Sequence, residues 1–73
     1  SRKTMTLYET LTAREREVLR FVVSGAMNKQ IAFDLGISEI TVKLHRSNMM
    51  KKMNARSLTH LLSACQSLPA EVR

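Results

Sequence analysis

The 73-residue sequence has few of the residues that cross-link a chain or turn it sharply. Its single cysteine, Cys65, excludes an intramolecular disulfide, and a lone thiol is typical of a small buried side chain in a reducing compartment. Tryptophan is absent, and there are only one proline and two glycines. There is no signal peptide, and no apolar run approaches the 18 residues of a membrane-spanning helix. These absences predict one small, soluble, cytoplasmic domain made of helices.

The residues of common catalytic and metal sites are also scarce. Two histidines and one cysteine cannot supply a zinc site, and His60 and Cys65 lie about 140° apart on a helical wheel. There is no glycine-rich phosphate loop and no nucleophile–base pair. Glu15 and Glu17 alternate with arginines on a face that we expect to be solvated. The sequence therefore predicts no enzyme, no cofactor and no metal site.

Positive charge is the feature that the sequence does have in excess. Twelve Lys and Arg residues against six Asp and Glu give a formal net charge of +6. Residues 38–56 contain one acid, Glu39, and five bases, whereas residues 14–17 mix the two signs. Concentrated positive charge favours a polyanionic partner, although it can also be a solvated surface. The five bases are Lys43, Arg46, Lys51, Lys52 and Arg56.

Capping signals and apolar periodicity predict the first two of four helices. The first helix begins after Thr12, where Glu15 completes a capping box and Leu11 can form a hydrophobic staple. Gly25 ends it. The second helix has Asn28 as its expected N-cap and ends at Gly36.

Two further helices follow the same rules. Ser38 is expected to cap a third helix from Glu39 to about Met53, and Ser57 to cap a fourth that Pro69 ends. The fourth helix has an apolar stripe that can close the core or, at its outer edge, pair with a second copy of the chain. The stripe consists of Leu58, Leu61, Leu62 and Cys65. No segment alternates with the period of a strand, so the fold class is all-α, a four-helix bundle-like domain.

The spacing of Ala32, Gly36 and Val42 predicts a helix-turn-helix without a wing. Where two helices cross steeply, the first needs a small side chain, the turn needs a residue that tolerates positive φ, and the second helix needs an apolar anchor. The alternative is an ordinary helical hairpin with a glycine turn. A wheel of the third helix turns Val42, Met49 and Met53 inward. Its opposite side carries Ile40, Lys43, Leu44, Ser47, Asn48 and Lys51.

The matching stretches resemble the C-terminal effector domain of LuxR/FixJ-type transcription regulators, a group that includes NarL. They are LTAREREVL at 11–19, NKQIA at 28–32, LGIS at 35–38, TVK at 41–43 and KKM at 51–53. AFDLGIS at 32–38 and KMNARSL at 52–58 are most similar to FixJ-like response regulators. Ala13 departs from the proline usual in the family. The resemblance covers about residues 11–65.

The resemblance implies a DNA-binding domain that reads double-stranded DNA with its third helix. It implies that Lys43, Leu44 and Ser47 face the bases, which agrees with the wheel; Ile40 and Asn48 flank them. Ile40 and Leu44 can meet thymine methyl groups. Position and charge add phosphate contacts at Lys29, Ser38, Thr41, Lys51, Lys52 and Arg56. Arg46 points toward the body of the domain, and His45 lies at the edge of the core in a structural role.

The resemblance also implies partners. The domain would form a homodimer on DNA through Leu58, Leu61, Leu62 and Cys65 and would recruit RNA polymerase. Residues 1–10 are expected to be a linker from a missing N-terminal receiver or sensor domain, 11–68 the helix-turn-helix domain and 69–73 a tail.

Two alternatives remain. The first is region 4 of a sigma factor, and the second is a protein-interaction module that docks through Ile40 and Leu44.

Overall fold

The computed structural model describes residues 2–72, which fold into five helices and contain no strand. The prediction of an all-α fold is confirmed, and the prediction of four helices missed the first one. Ser1 and Arg73, which belong to the expected linker and tail, lie outside the described residues. The helices are α1 (Arg2–Glu9), α2 (Ala13–Val23), α3 (Asn28–Leu35), α4 (Glu39–Lys52) and α5 (Leu58–Cys65).

Helix α1 occupies the segment that was expected to be an unstructured linker. Tyr8 is buried, and Met5 and Leu7 pack against the core. The guanidinium carbon of Arg16 lies 4.7 Å from the centroid of the Tyr8 ring, a cation–π contact. The same guanidinium reaches the carbonyl of Glu9 at the end of α1. Helix α1 was missed although Met5 and Tyr8, three residues apart, lie on the face of α1 that packs against the core.

Side-chain caps set the starts of three helices, as predicted. The Thr12 hydroxyl accepts from the Glu15 amide at 3.1 Å, and the Glu15 carboxylate accepts from the Thr12 amide at 2.9 Å, which completes the capping box. Ser38 and Ser57 accept from the amides three residues later in α4 and α5. Gly36 ends α3 in the left-handed conformation, with φ +66°. These local signals fix the helix boundaries that position α4.

Two predicted boundaries were wrong. The N-cap of α3 is Met27, which makes no side-chain cap; Asn28 is already helical, and its carbonyl oxygen Oδ1 accepts from Arg46 Nη1 at 3.0 Å. Helix α5 ends at Cys65, before Pro69. The described part of the expected tail lies against the body, where Arg20 Nη2 donates to the Glu71 carbonyl at 2.8 Å. Both hydrogen bonds join residues that are far apart in the sequence, so no local pattern predicts them.

The core lies between α2, α3, α4 and α5 and is filled by aliphatic and methionine side chains. Burial of one such side chain contributes about 1.5–3 kcal/mol. The inward stripe of α4 is confirmed, because Val42, Met49 and Met53 are buried. Within residues 2–72, no helix is both long and apolar enough to cross a bilayer. The fully buried side chains are Val18, Leu19, Ile31, Val42, Met49, Leu61 and Cys65.

Candidate nucleic-acid interface

Helices α3 and α4 form the predicted helix-turn-helix. Ala32 and Val42 are buried, and the left-handed Gly36 lies between the helices. The Ile37 amide donates to the Ala32 carbonyl at 3.0 Å, which closes the end of α3 and turns the chain into α4. Leu35 packs against the core beside them. The turn therefore holds α4 across α3, so that the inner stripe of α4 lies in the core and the outer face of α4 is exposed.

The outer face of α4 carries two large aliphatic side chains that the described chain leaves uncovered. Ile40 is 79% exposed and Leu44 is 58% exposed. Lys43 and Ser47, between and beside them, are also exposed, and Asn48 is half-buried at the margin. The predicted base-facing residues and their neighbours thus lie together on one surface. A surface that combines a cation, a hydroxyl, an amide and two aliphatic groups matches the mixture of groups on base edges.

At the start of α4, basic side chains surround a shallow depression between α3 and α4. Lys29 and Lys43 line it together with Met27, Glu39 and Arg46. The first amides of α3, like those of any helix, have no intrahelical partner, and Met27 provides no side-chain cap for them. Open amides and cations favour an anion here, and the phosphate contact of Lys29 stays a prediction.

The Ser38 and Thr41 hydroxyls, which were also predicted to contact phosphate, lie at the same end of α4. They are 2.9 Å apart, and the Ser38 oxygen accepts from the Thr41 amide. Ser38 is exposed and Thr41 is half-buried. Their first role is therefore to cap α4, and a phosphate would have to share the remaining hydrogen-bonding capacity of the two hydroxyls.

The two lysines that end α4 are placed differently. Lys51 is exposed, whereas Lys52 Nζ forms an ion pair with Glu15 Oε1 at 2.8 Å. The expectation that Glu15 is solvated was wrong, because Glu15 is only 4% exposed. Burial raises the pKa of Glu15, but the hydrogen bonds from Lys52 and Thr12 and the charge of Lys52 outweigh it and hold that pKa below its ordinary value. Lys52 therefore already has an anionic partner in α2.

Three predicted residues remain: two lie on α4 where the helical wheel placed them, and the third lies after the end of α4. Arg46 points toward the body and donates to Asn28, and His45 is half-buried. Arg56 is exposed, and its amide donates to His60 Nδ1 at 3.3 Å. Sequence reasoning missed the Arg46–Asn28 and Lys52–Glu15 contacts, because the partners are 18 and 37 residues apart and no local pattern links them.

The apolar stripe of α5 divides into two parts. Leu61 and Cys65 are buried in the core, and the surface between two copies that was predicted for all four residues stays a prediction. Leu58 and Leu62, on the outer edge, remain exposed. Over residues 2–72 no group of three His, Cys, Asp or Glu side chains lies close enough together to hold a metal ion.

The fold and its exposed basic face define a helix-turn-helix domain of the DNA-binding class. Residues 9–64 match the family described as bacterial regulatory proteins, luxR family. The chain belongs to this family, and it is a DNA-binding domain of a transcription regulator.

Individual relatives agree with this assignment. Nodulation protein W of Bradyrhizobium diazoefficiens is 52% identical over 62 residues, which are 85% of this chain and 27% of that protein. Transcriptional regulatory protein FixJ of Rhizobium meliloti is 57% identical over 54 residues, 74% of this chain and 26% of that protein. The chain therefore spans about a quarter of the length of these relatives.

Two solved structures of response regulators have a similar fold. The response regulator StyR superposes with a TM-score of 0.85 at 48% identity, over 88% of this chain and 32% of that one. Full-length FixJ from B. japonicum superposes with a TM-score of 0.82 at 34% identity, over 89% and 32%. Both similarities extend beyond the helix-turn-helix to nearly all of the described residues.

Proposed function

We propose that the domain binds a specific site in double-stranded DNA by inserting α4 into the major groove. The observation that carries this proposal is the exposure of Ile40 and Leu44 among polar side chains on the outer face of α4. Lys43 donates to a guanine edge, Leu44 contacts a thymine methyl group or sugar, and Ser47 hydrogen-bonds a base edge. Ile40 and Asn48 make the flanking contacts. The domain has no catalytic activity of its own in this proposal.

Phosphate contacts anchor the helix on both sides of the groove. Lys29 and the free amides of α3 bind one phosphate, and the exposed Lys51 and Arg56 bind others beyond α4. Ser38 and Thr41 contribute their hydroxyls at the start of α4. Lys52 leaves this set, since its ammonium group is paired with Glu15. Each phosphate neutralised releases counterions, so binding weakens steeply with salt.

The larger protein is a cytoplasmic two-component response regulator in which an N-terminal receiver or sensor domain controls this one. The similarity to response regulators such as StyR supports this proposal, and helix α1 then lies where the chain enters this domain from the other one. Two copies bind a palindromic or repeated site through the outer edge of α5, formed by Leu58 and Leu62, and recruit RNA polymerase.

The test begins with selection of bound sites from random duplex DNA, which gives both the sequence and the half-site spacing. Fluorescence anisotropy then compares the selected site with a scrambled duplex. Lys43→Ala should weaken specific binding by about 1–3 kcal/mol, whereas Lys3→Ala, an equal charge change on α1, should change it less than about twofold. Equal effects of the two variants would overturn the assignment of α4 to the major groove.

Salt dependence separates this function from docking on another protein through Ile40 and Leu44. Binding through phosphates should lose affinity linearly in log salt, with a slope of about −0.9 per phosphate contacted. A hydrophobic protein contact should survive high salt. Binding that is insensitive to salt would therefore favour the protein-interaction alternative.

A further inference from the structure

The inner stripe of α4 is formed by side chains that adapt easily to small movements. Met49 and Met53 are buried beside Val42, and each lies within about 20° of Val42 around the helix axis. Methionine is unbranched and fills irregular gaps, so it specifies a single packing arrangement poorly. A narrow stripe that is largely methionine can bury α4, but it leaves the rotation of α4 about its own axis weakly determined.

Two polar contacts lie on opposite flanks of this stripe. With Val42 taken as zero, Arg46 falls at about +40° and Lys52 at about −80° around α4. Arg46 Nη1 donates to Asn28 Oδ1 of α3 at 3.0 Å, and Lys52 Nζ donates to Glu15 Oε1 of α2 at 2.8 Å. The two contacts therefore join α4 to two different helices, one on each side of its apolar face.

We propose that Arg46 and Lys52 are positioning residues that fix the rotation of α4 and so determine which side chains meet the bases. A turn of α4 in one direction lengthens the contact to α3, and a turn in the other direction lengthens the contact to α2. Glu15 is buried, and Lys52 Nζ and the Thr12 amide donate hydrogen bonds to its carboxylate. Loss of the Lys52 contact therefore leaves a buried charge without its counterion.

The geometry makes small rotations consequential. Side chains end about 5–6 Å from the axis of a helix, so a rotation of about 20° moves them by about 2 Å. Hydrogen bonds to base edges tolerate only a few tenths of an ångström, whereas attraction to phosphates depends weakly on orientation. Removal of a positioning contact should thus lower discrimination between DNA sites more than it lowers affinity for DNA in general.

The inference rests on the proposed function, and the experiment therefore pairs a DNA measurement with one on the free domain. In Lys52→Met, amide residual dipolar couplings should show that α4 is rotated by about 10–20° relative to α2, or that it samples rotations of that size. The ratio of affinities for the selected and scrambled duplexes should fall about tenfold, while the affinity for scrambled DNA stays within about twofold. Asn28→Ala, which removes the other contact without changing the charge, should act in the same direction.

Two matched variants separate positioning from stability. Lys52→Arg keeps the charge and reach and should restore both the couplings and the affinity ratio. Met53→Ala weakens the core with both contacts intact and should leave the ratio of the folded protein unchanged. All measurements are made at a temperature where each variant is more than about 99% folded, and Asn28→Ala carries the test if Lys52→Met does not fold.

Three results would overturn the inference. Unchanged couplings would show that the stripe alone orients α4, and an unchanged affinity ratio would show that rotation does not control recognition. If the slope of log affinity against log salt is smaller in magnitude by about 0.9 in Lys52→Met than in the native domain, Lys52 is a phosphate contact instead. If the native domain prefers no DNA site at all, the proposed function fails, whereas the couplings still decide whether the two contacts orient α4.

Discussion

Glu15→Gln should lower the free energy of unfolding at neutral pH by about 2 kcal/mol. The glutamine oxygen can still accept from the Thr12 amide, so the capping box is largely kept and the change isolates the charge. At 2.8 Å the attraction between Glu15 and Lys52 is about 6 kcal/mol with an effective dielectric constant of 20. Desolvation of the buried carboxylate opposes most of it, and the 37% exposed Lys52 side chain is partly screened.

The lowered pKa of Glu15 determines how the difference in unfolding free energy between the native protein and Glu15→Gln changes with pH. Since the pKa of Glu15 is below its ordinary value in the folded domain, the ionised carboxylate stabilises the fold at every pH above the unfolded pKa near 4.5. That stabilisation is lost as the pH falls through the folded pKa, where the native side chain becomes neutral like glutamine. The difference between native protein and Glu15→Gln should therefore be constant above about pH 5 and shrink below the unfolded pKa.

Urea denaturation followed by circular dichroism from pH 7 down to pH 3 measures this difference. At pH 7 the expected loss corresponds to a fall in Tm of about 8–16 °C for a domain of this size. Glu17→Gln is the matched control: Glu17 is exposed and lies 3.9 Å from Arg14, so its loss should cost less than about 0.5 kcal/mol. Equal costs for the two variants, or a difference that persists unchanged at pH 3, would refute the role assigned to the buried pair.

Three further perturbations test other parts of the molecule. Tyr8→Ala should cost about 3 kcal/mol in urea denaturation, because Tyr8 is buried beneath Arg16; a loss below about 1 kcal/mol would make α1 a dispensable linker. Gly36→Ala should cost about 1–2 kcal/mol for its positive φ alone, since a Cβ there meets nothing within 4 Å, and a much larger loss in the same assay would contradict this. Leu58→Ser with Leu62→Ser should abolish cooperative binding to paired half-sites in a gel-shift titration while preserving Tm; retained cooperativity would exclude the outer edge of α5 as the contact between copies.

Much of the fold was predictable because it is coded by neighbouring residues. The capping box of Thr12 and Glu15, the left-handed Gly36 and the cap at Ser38 each act within three or four residues, and all three were predicted correctly. The outer face of α4 was predictable for the same reason, since a helical wheel needs only the helix and its inner stripe.

The features that were not predicted depend on contacts between residues that are far apart in the sequence. Helix α1 contacts α2 through Tyr8 and Arg16, and Lys52 is paired with a carboxylate 37 residues earlier in the chain. A lysine in the last turn of a basic helix looks the same in sequence whether it meets a phosphate or a buried acid. Lys51 and Lys52 show this directly, because they are adjacent and chemically identical, yet only Lys52 is paired with Glu15.

Two features around α4 depart from what stability alone would select. Two large aliphatic side chains, Ile40 and Leu44, are exposed, while the carboxylate of Glu15 is buried behind the same helix. A domain this small has little stability to spare, so both features require a reason beyond folding. In the proposed complex, base edges are the apolar partner of the outer face, and in the proposed positioning role the Lys52–Glu15 ion pair supplies an orientation that a methionine-rich stripe specifies poorly. Departures from local rules tend to concentrate at functional surfaces, and here they concentrate on the two sides of one helix.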